Sequence, residues 1–322
     1  MLILTVTRQC NLRCSYCPTA KDGWPSLSTD DAREAVRLYA ETYGGGDIKI
    51  FGGEPLLVPE VTRAAIEAAA ARPEVRRIYL STNGIGLNDE WLALLRATPQ
   101  LILTISLDGR PDDHSTYRRA LPGIEDSYEA IVRLLPALLK APRVVVTQTI
   151  APAGAKSAYV NFRHLRDLGF RRFNFLPGYY LPWSTGQLAV LSEAFAQIAA
   201  DIKEAWTSGH YLYVRNLFTW APTPFFNTGL IVDADRTLHS SNVGLAASLD
   251  ELRTHTQIGT LDAPPTAQDI AENAARTNDR LRESLGAKIW MATEAVDLEL
   301  TRFCNSLYPA YIKQRRTRRQ VA

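Results

Sequence analysis

The sequence predicts an α/β protein built on a parallel sheet, and two observations carry that prediction. Six short apolar, strand-like runs each lead into a helical pattern before about residue 180. Such a succession requires parallel strands joined by right-handed crossovers. Several runs also end in glycine and small polar residues: GGEP at 52–55, STNG at 81–84 and SLDG at 106–109. Parallel α/β architectures collect their chemistry at these strand ends. Periodicity alone does not distinguish a flat doubly wound sheet from a curved partial barrel.

Taken in order, the first strand is the apolar run Leu2 to Val6. SLSTDD then offers Ser28 and Thr29 as caps for a helix with an apolar face of Ala32, Val36, Tyr39 and Tyr43, ended by the glycines at 44–46. DIKIFGGEP reads as a buried strand entering a glycine turn. A helix over about 60–71 leads to RRIYLSTNG, and Asn88 caps a helix facing Trp91, Leu92 and Leu95 inward. LILTISLDG, from Leu101 to Gly109, is the fourth strand. A helix from about Tyr128 to Leu139 must accommodate Pro136 with some distortion. RVVVTQTI at 143–150 is the fifth strand, a helix with Phe162, Leu165 and Leu168 ends at Gly169, and RRFNFLP supplies the sixth near 172–176.

Beyond about residue 180 the alternation stops. GYYLPWSTG is an aromatic loop, followed by a helix marked by Leu188, Leu191, Phe195, Ile198 and Ile202. NLFTWAPTPFF is irregular, and GLIVDADRTLHSS reads as a hairpin turning near Ala234-Asp235-Arg236. A polar helix over about 266–285 precedes AVDLELTRFCNSLYP. The predicted division is a core over 1–180, an α+β appendage over 181–310 and a basic tail over 311–322.

The 322 residues are 46% hydrophobic, enough for one large domain with an appendage. No signal peptide and no membrane-length apolar run is recognisable. Four cysteines, three of them clustered, argue against a disulfide scaffold and for a reducing, cytoplasmic setting. A formal charge of +2 implies no nucleic-acid partner, and KQRRTRR from Lys313 to Arg319 is expected to be a solvated, frayed end.

Cys10, Cys14 and Cys17 form a C-x3-C-x2-C loop directly after the first strand. Three thiolates so close in sequence can share one small object but cannot close a tetrahedral zinc site, and disulfides would leave one over. A single [4Fe–4S] cluster with one iron open fits the count. With GGEP downstream, the pattern resembles the radical S-adenosylmethionine (radical SAM) superfamily. The resemblance implies a partial (β/α)6 TIM-like barrel whose cluster binds S-adenosyl-L-methionine and cleaves it to a 5′-deoxyadenosyl radical. It further implies that Tyr16 packs near the adenine and that Gly52, Gly53, Glu54 and Pro55 hold the methionyl amine. Gly52 and Gly53 remove side chains where a ligand must approach closely, and Glu54 supplies a carboxylate.

Asn83, Ser106 and Asp108 occupy polar strand ends and are candidates for cofactor contacts, or for simple turn capping. GRPDDHSTYRR resembles the SLDG-P…HD…R stretch of the peptide-modifying SPASM-type branch, with Ser115 after His114 where that pattern has aspartate. Arg118 is placed to approach a carboxylate, or is an exposed helix-start residue. Gln148 and Asn174 are candidate hydrogen-bonding groups for cofactor or substrate. FFNTGLIVDADRTLHSSNVG resembles the SPASM/twitch segment that binds an auxiliary cluster, but its cysteine positions fall at Phe225 or Phe226 and at Ser240. The reading is an auxiliary domain without its cluster.

Cys304 is then the odd cysteine, either a small buried hydrophobe or a thiol that returns a hydrogen atom to a substrate radical. The expected activity is hydrogen abstraction from a peptide or amino-acid-derived substrate, including redox-neutral epimerisation, with a small natural-product or sugar intermediate as the alternative. A non-catalytic iron–sulfur protein would leave GGEP unexplained. The expected partners are a flavodoxin- or ferredoxin-like electron donor and, because the chain starts at its first strand, a separate peptide-recognition protein.

Overall fold

The computed structural model describes residues 1–218, 229–241 and 250–321. Along the chain the strands are β1 (Leu2–Thr7), β2 (Leu12–Cys14), β3 (Gly46–Gly52), β4 (Val75–Thr82), β5 (Leu101–Ser106), β6 (Arg118–Ala120), β7 (Val144–Ile150), β8 (Arg172–Pro177), β9 (Tyr213–Val214), β10 (Leu230–Val232), β11 (Thr237–His239) and β12 (Gln257–Thr260). The helices are α1 (Thr29–Thr42), α2 (Pro59–Ala70), α3 (Asp89–Ala97), α4 (Pro111–Tyr117), α5 (Ser127–Arg133), α6 (Leu135–Lys140), α7 (Ala158–Asp167), α8 (Thr185–Thr207), α9 (Asp250–Thr256) and α10 (Ala267–Val321). The fold class is the predicted one, a mixed α/β fold with a partial-barrel β core and a C-terminal α+β and helical appendage.

Two compact units interleave in sequence. The first comprises Met1–Ile105, Arg118–Val144 and Phe226–Ser284; the second comprises Ser106–Tyr117, Val145–Phe225 and Leu285–Ala322. In the first unit β1 is fully buried and lies between β3 and β10, with Leu2 opposite both Ile48 and Leu230. A strand covered on both faces reads as an unbroken apolar run, which is why Leu2–Val6 shows no alternation. β3, β4 and β5 continue the parallel order, while β10, β11 and β12 are antiparallel. Ser28 caps α1 in a capping box with Asp31, and the Asn88 side chain accepts from the first-turn amides of α3.

In the second unit β7, β8 and β9 are parallel. Phe173 and Phe175 of β8 meet Phe162 of α7, and Phe195 of α8 stacks on Phe303 at 4.8 Å. Such pairs contribute about 0.5–1.5 kcal/mol each beyond area burial.

The structure departs from the expected elements in four places. The single helix expected over 128–139 is two, α5 and α6, and Pro136 sits at the start of the second, where a missing N–H costs nothing. The expected hairpin forms, β10 antiparallel to β11, but its buried first strand Leu230–Val232 also joins the sheet parallel to β1. The short pair β2–β6 has no sequence signal beyond Leu12. The helix expected at about 266–285 is present and ends at the non-helical Gly286 (φ 72°), but a second helical stretch follows it to Val321, so the basic end is helical and not frayed. Val296, Leu300, Phe303 and Leu307 recur at helical spacing along this part and are buried, which gives it a packed face. No helix among the described residues is long and apolar enough to cross a membrane.

Candidate cofactor-binding site

The cysteine loop leaves the end of β1 and is built into the first unit by short-range contacts. Leu12, Arg13 and Cys14 form β2 and pair with β6, which puts Cys14 directly opposite Arg118. Arg118 is therefore buried, not an exposed helix-start residue, and its guanidinium lies 5.3 Å from the Tyr16 ring centroid. The Cys17 N–H donates to the Cys14 carbonyl at 3.1 Å, turning the chain between the second and third cysteines.

All four cysteines are free thiols of intermediate burial. The Leu12 N–H points at Cys10 Sγ (3.4 Å), and the Lys21 ammonium at Cys17 Sγ (3.3 Å). Burial pushes the Cys10 thiol up to about 12, so without a metal partner it keeps its proton. Among the described residues no three His, Cys, Asp or Glu side chains are gathered at single-ion spacing. Three soft sulfur donors in one loop, with N–H groups aimed at two of them, are chemically suited to an iron–sulfur cluster.

The GGEP turn lies against the start of this loop. Gly53 N–H donates to Thr7 O and Glu54 N–H to Gln9 O, both at 2.8 Å. A Cβ on Gly52 would stand 2.0 Å from Thr7 O, and one on Gly53 2.1 Å from Gln9 O. The chain's own backbone passes where their side chains would be, which by itself calls for glycine at both positions.

Glu54 is 1% exposed, and its carboxylate accepts from Thr82 Oγ1 (2.7 Å), Leu56 N (3.0 Å) and Asn83 N (2.7 Å). Burial raises its pKa, against those donors and Arg118. Three of its about four lone-pair sites are committed inside the protein. Pro55 starts the short helical turn that Glu54 caps. Asn83 then extends the tie, its Nδ2 donating to Asn11 Oδ1 at 2.6 Å. Asn11, Asn83 and Glu54 form one buried chain of hydrogen bonds from the cysteine loop to the ends of β3 and β4.

The remaining candidates belong to the second unit. Asp108 Oδ1 accepts from Thr149 N (2.9 Å), while the Asp108 N–H donates to His114 Nδ1 (3.1 Å), which places the histidine proton on Nε2. Ser106 ends β5 half-buried. Asn174 donates to Thr147 Oγ1 at 3.2 Å. Gln148 Nε2 donates to Ala158 O (2.9 Å), and its Oε1 is buried with no hydrogen-bond partner among the described residues.

Cys304 lies on α10 beside Phe303, seven residues after Asp297, whose carboxylate accepts from Tyr179 Oη at 3.1 Å. Burial, with the Asp297 charge, raises the Cys304 thiol to about 12, and burial raises Asp297 to about 6.

In the auxiliary hairpin, the cysteine-equivalent Ser240 is buried, donating to Thr256 O (3.3 Å) and accepting from Thr277 Oγ1 (2.9 Å). Phe225 and Phe226 lie outside the described residues. The His239 ring is held between Thr237 Oγ1 (2.8 Å) and Thr256 Oγ1 (3.1 Å). Burial lowers its pKa to about 4; Arg253 and Arg8 act in the same sense, Asp233 and Asp235 in the opposite one. Between pH 6.5 and 4 the unfolded chain binds this proton and the folded chain does not, so stability falls as pH falls through that window. The full effect is on the order of 3 kcal/mol. Thermal melts of His239→Gln against wild type are expected to show a shallower loss from pH 6.5 to 4; parallel curves would contradict this.

Residues 4–153 match the family model described as the Radical SAM superfamily. Over that stretch, just under half of its length, the chain is similar to the radical SAM superfamily. A GTP 3′,8-cyclase of Streptomyces coelicolor is 39% identical over 126 residues, 37% of this chain and 36% of that protein. The chain thus matches only about a third of that relative's length. A GTP 3′,8-cyclase of Corynebacterium glutamicum is 28% identical over 306 residues, 88% of this chain and 75% of that protein. The solved structure "Native anSMEcpe with bound AdoMet and Cp18Cys peptide" superposes with TM-score 0.72 at 14% identity, covering 100% of this chain and 99% of that one. At that identity the likeness shows a shared fold alone.

Asn11, Thr82 and Arg8 are site residues that the sequence alone does not single out. The available signal was their place in the motifs: Asn11 immediately after Cys10, Thr82 immediately before Asn83, and Arg8 two residues before the first cysteine.

Proposed function

We propose that this chain is a radical SAM enzyme in which one [4Fe–4S] cluster and S-adenosylmethionine supply a 5′-deoxyadenosyl radical that takes a hydrogen atom from a peptide or amino-acid-derived substrate. The observation that carries this reading is the Asn11–Asn83–Glu54 chain, which ties the three-cysteine loop to the GGEP turn. In this reading Cys10, Cys14 and Cys17 hold the cluster. The turn Gly52–Pro55 with Asn83 orients the methionyl end of the cofactor, and Tyr16, backed by Arg118, covers its adenine. Ser106, Asp108 and Asn174 contribute polar contacts, and the unpartnered Gln148 Oε1 offers a buried acceptor. Burial of Glu54, Asn83, Asp108, Arg118 and Gln148 excludes the water that would compete for them.

The peptide class is supported by the similarity to the anSMEcpe fold, whose solved form holds AdoMet and a peptide. Cys304 has the protonated thiol that a hydrogen donor needs. Its S–H hydrogen closes the substrate radical, and the thiyl left behind takes one electron and one proton from a flavodoxin- or ferredoxin-class reductant. That sequence inverts a carbon centre without net oxidation of the substrate. A second reading, rearrangement of a nucleotide, is favoured by the likeness to the Corynebacterium glutamicum GTP 3′,8-cyclase over 88% of the chain.

Anaerobic incubation with dithionite and S-adenosylmethionine is expected to release 5′-deoxyadenosine, detectable by chromatography. Methylthioadenosine as the sole nucleoside product would overturn the reaction class. Adding peptide or GTP in deuterium oxide separates the two substrates, and a thiol donor would leave deuterium at the reacting carbon. Normal product from Cys304→Ala would return that cysteine to a packing role.

A further inference from the structure

The auxiliary hairpin retains a charged column that the proposed chemistry does not use. Arg8 is 1% exposed, one of the largest fully buried side chains among the described residues, and it sits two residues before Cys10. Its guanidinium forms a two-point ion pair with Asp233 at the end of β10: Nε donates to Oδ1 at 3.0 Å and Nη2 to Oδ2. Asp233 is itself fully buried, and its Oδ1 also accepts from the Ala234 N–H at 2.7 Å. The flat face of the guanidinium lies 3.6 Å from the ring centroid of Trp24, seven residues after Cys17. On Trp24 a second guanidinium stacks, that of Arg253 at 4.5 Å, itself paired with Asp235 of the hairpin.

This arrangement gathers three things at one side chain. Arg8 belongs to the leg of chain entering the cysteine loop, Trp24 to the leg leaving it, and Asp233 to the auxiliary hairpin. The backbone on either side of Arg8 is fixed separately, since Thr7 O and Gln9 O receive the amides of the GGEP turn. The base of the loop is also closed independently: Ser26 Oγ donates to Thr7 Oγ1 at 2.8 Å and Leu27 N to Val6 O at 3.0 Å. Closing the loop therefore does not require a buried ion pair. A buried ion pair costs desolvation that apolar residues of similar volume would avoid, so its presence asks for a role beyond stability. Stacked, bidentate geometry is specific to arginine and fixes direction as well as contact.

We propose that Arg8 is a positioning residue for the iron–sulfur cluster, holding the two legs of the cysteine loop in register against the hairpin through Asp233 and Trp24. The auxiliary region of this chain thereby acts as a clamp on the cluster loop. The inference rests on the radical SAM reading above.

The test uses the full chain, anaerobically reconstituted, in four forms beside wild type: Arg8→Lys, Asp233→Asn, the apolar pair Arg8→Met with Asp233→Leu, and Tyr43→Phe as a control. Tyr43 donates to Pro265 O in the same unit and touches neither leg of the loop. Cluster loss in excess chelator is followed at a temperature where circular dichroism shows every form folded. The electron paramagnetic resonance spectrum of the reduced cluster is recorded with and without S-adenosylmethionine. Arg8→Lys, Asp233→Asn and the apolar pair are expected to lose iron about ten- to a hundredfold faster than wild type and to show an altered cofactor-induced spectrum. Tyr43→Phe is expected to match wild type in both. Should Asp233→Asn fail to fold, the apolar pair decides, because it leaves no unpaired buried charge. Wild-type release and spectrum in the apolar pair would overturn the clamp while leaving the radical SAM reading intact. A wild-type protein that takes up no cluster would overturn both.

Discussion

Replacing Cys14 with alanine is expected to give a folded protein that holds no iron–sulfur cluster. β2 pairs with β6 through main-chain groups, so the register that sets residue 14 opposite Arg118 survives loss of the thiol. Far-ultraviolet circular dichroism should be unchanged, because the substitution removes one half-buried sulfur and no structural hydrogen bond of the strand pair. Two thiolates cannot hold a cubane that three of them already leave one ligand short. Iron analysis is expected to fall from about four per chain to nearly none, and 5′-deoxyadenosine formation to drop below detection. Cys304→Ala is the matched control and should keep the wild-type iron content, since Cys304 lies outside the clustered C-x3-C-x2-C loop. About eight irons in the wild type would sink the single-cluster reading. Full iron retention in Cys14→Ala would remove this cysteine from the ligand set.

The six core strands were legible in two ways: β1 and β7 are buried on both faces and read as near-continuous apolar runs, while β3 and β8 alternate buried with partly exposed residues, and all are bounded by turn residues. The cysteine motif was legible because ligand spacing is local. The contacts that assemble the candidate site were not. Asn11 and Asn83 are 72 positions apart, and Arg8 and Asp233 are 225 apart. Each looks like an ordinary polar residue until the sheet brings β1, β4 and β10 together. The glycines of GGEP show the same limit, since a glycine is equally required by a ligand and by a neighbouring backbone. The 2.0 and 2.1 Å approaches to Thr7 O and Gln9 O, which supply the second reason here, exist only in the folded chain. The hairpin was legible but the pairing of β10 with β1 was not, because three residues carry too little pattern to reveal a parallel partner 228 residues earlier, Leu2 opposite Leu230.

The auxiliary segment gives a different lesson. Ser240, at the expected cysteine position, is neither exposed nor idle, for its hydroxyl joins Thr256 and Thr277 in a buried polar network. Polar side chains there take over the cohesion of the hairpin. With Asp233 and Asp235 paired to Arg8 and Arg253, the segment is tied to the base of the cysteine loop by charge.

Glu54→Ala is expected to be the most damaging single change outside the cysteines. The substitution strands three donors at once: Thr82 Oγ1, Leu56 N and Asn83 N all lose their carboxylate acceptor in a site where Glu54 is 1% exposed. Each buried donor left without a partner costs about 1–3 kcal/mol. Water entering the space left by the side chain recovers part of this, so the net loss is placed at about 3–5 kcal/mol, a large share of a typical 5–15 kcal/mol. For a chain of this size the melting temperature should fall on the order of 10 °C. Glu54→Gln is the informative partner. Its amide oxygen can still accept from Thr82 and Leu56, but its NH2 group meets the Asn83 N–H, donor against donor. Stability should therefore recover in part, while Asn83 turns away from Asn11 and the tie between GGEP and the cysteine loop is lost. Two measurements separate the roles: the melting curve, and S-adenosylmethionine affinity of the reconstituted protein by equilibrium binding. Glutamine is expected to restore much of the first and little of the second. If Glu54→Ala melts with wild type and binds the cofactor normally, the carboxylate is not the link between the two motifs.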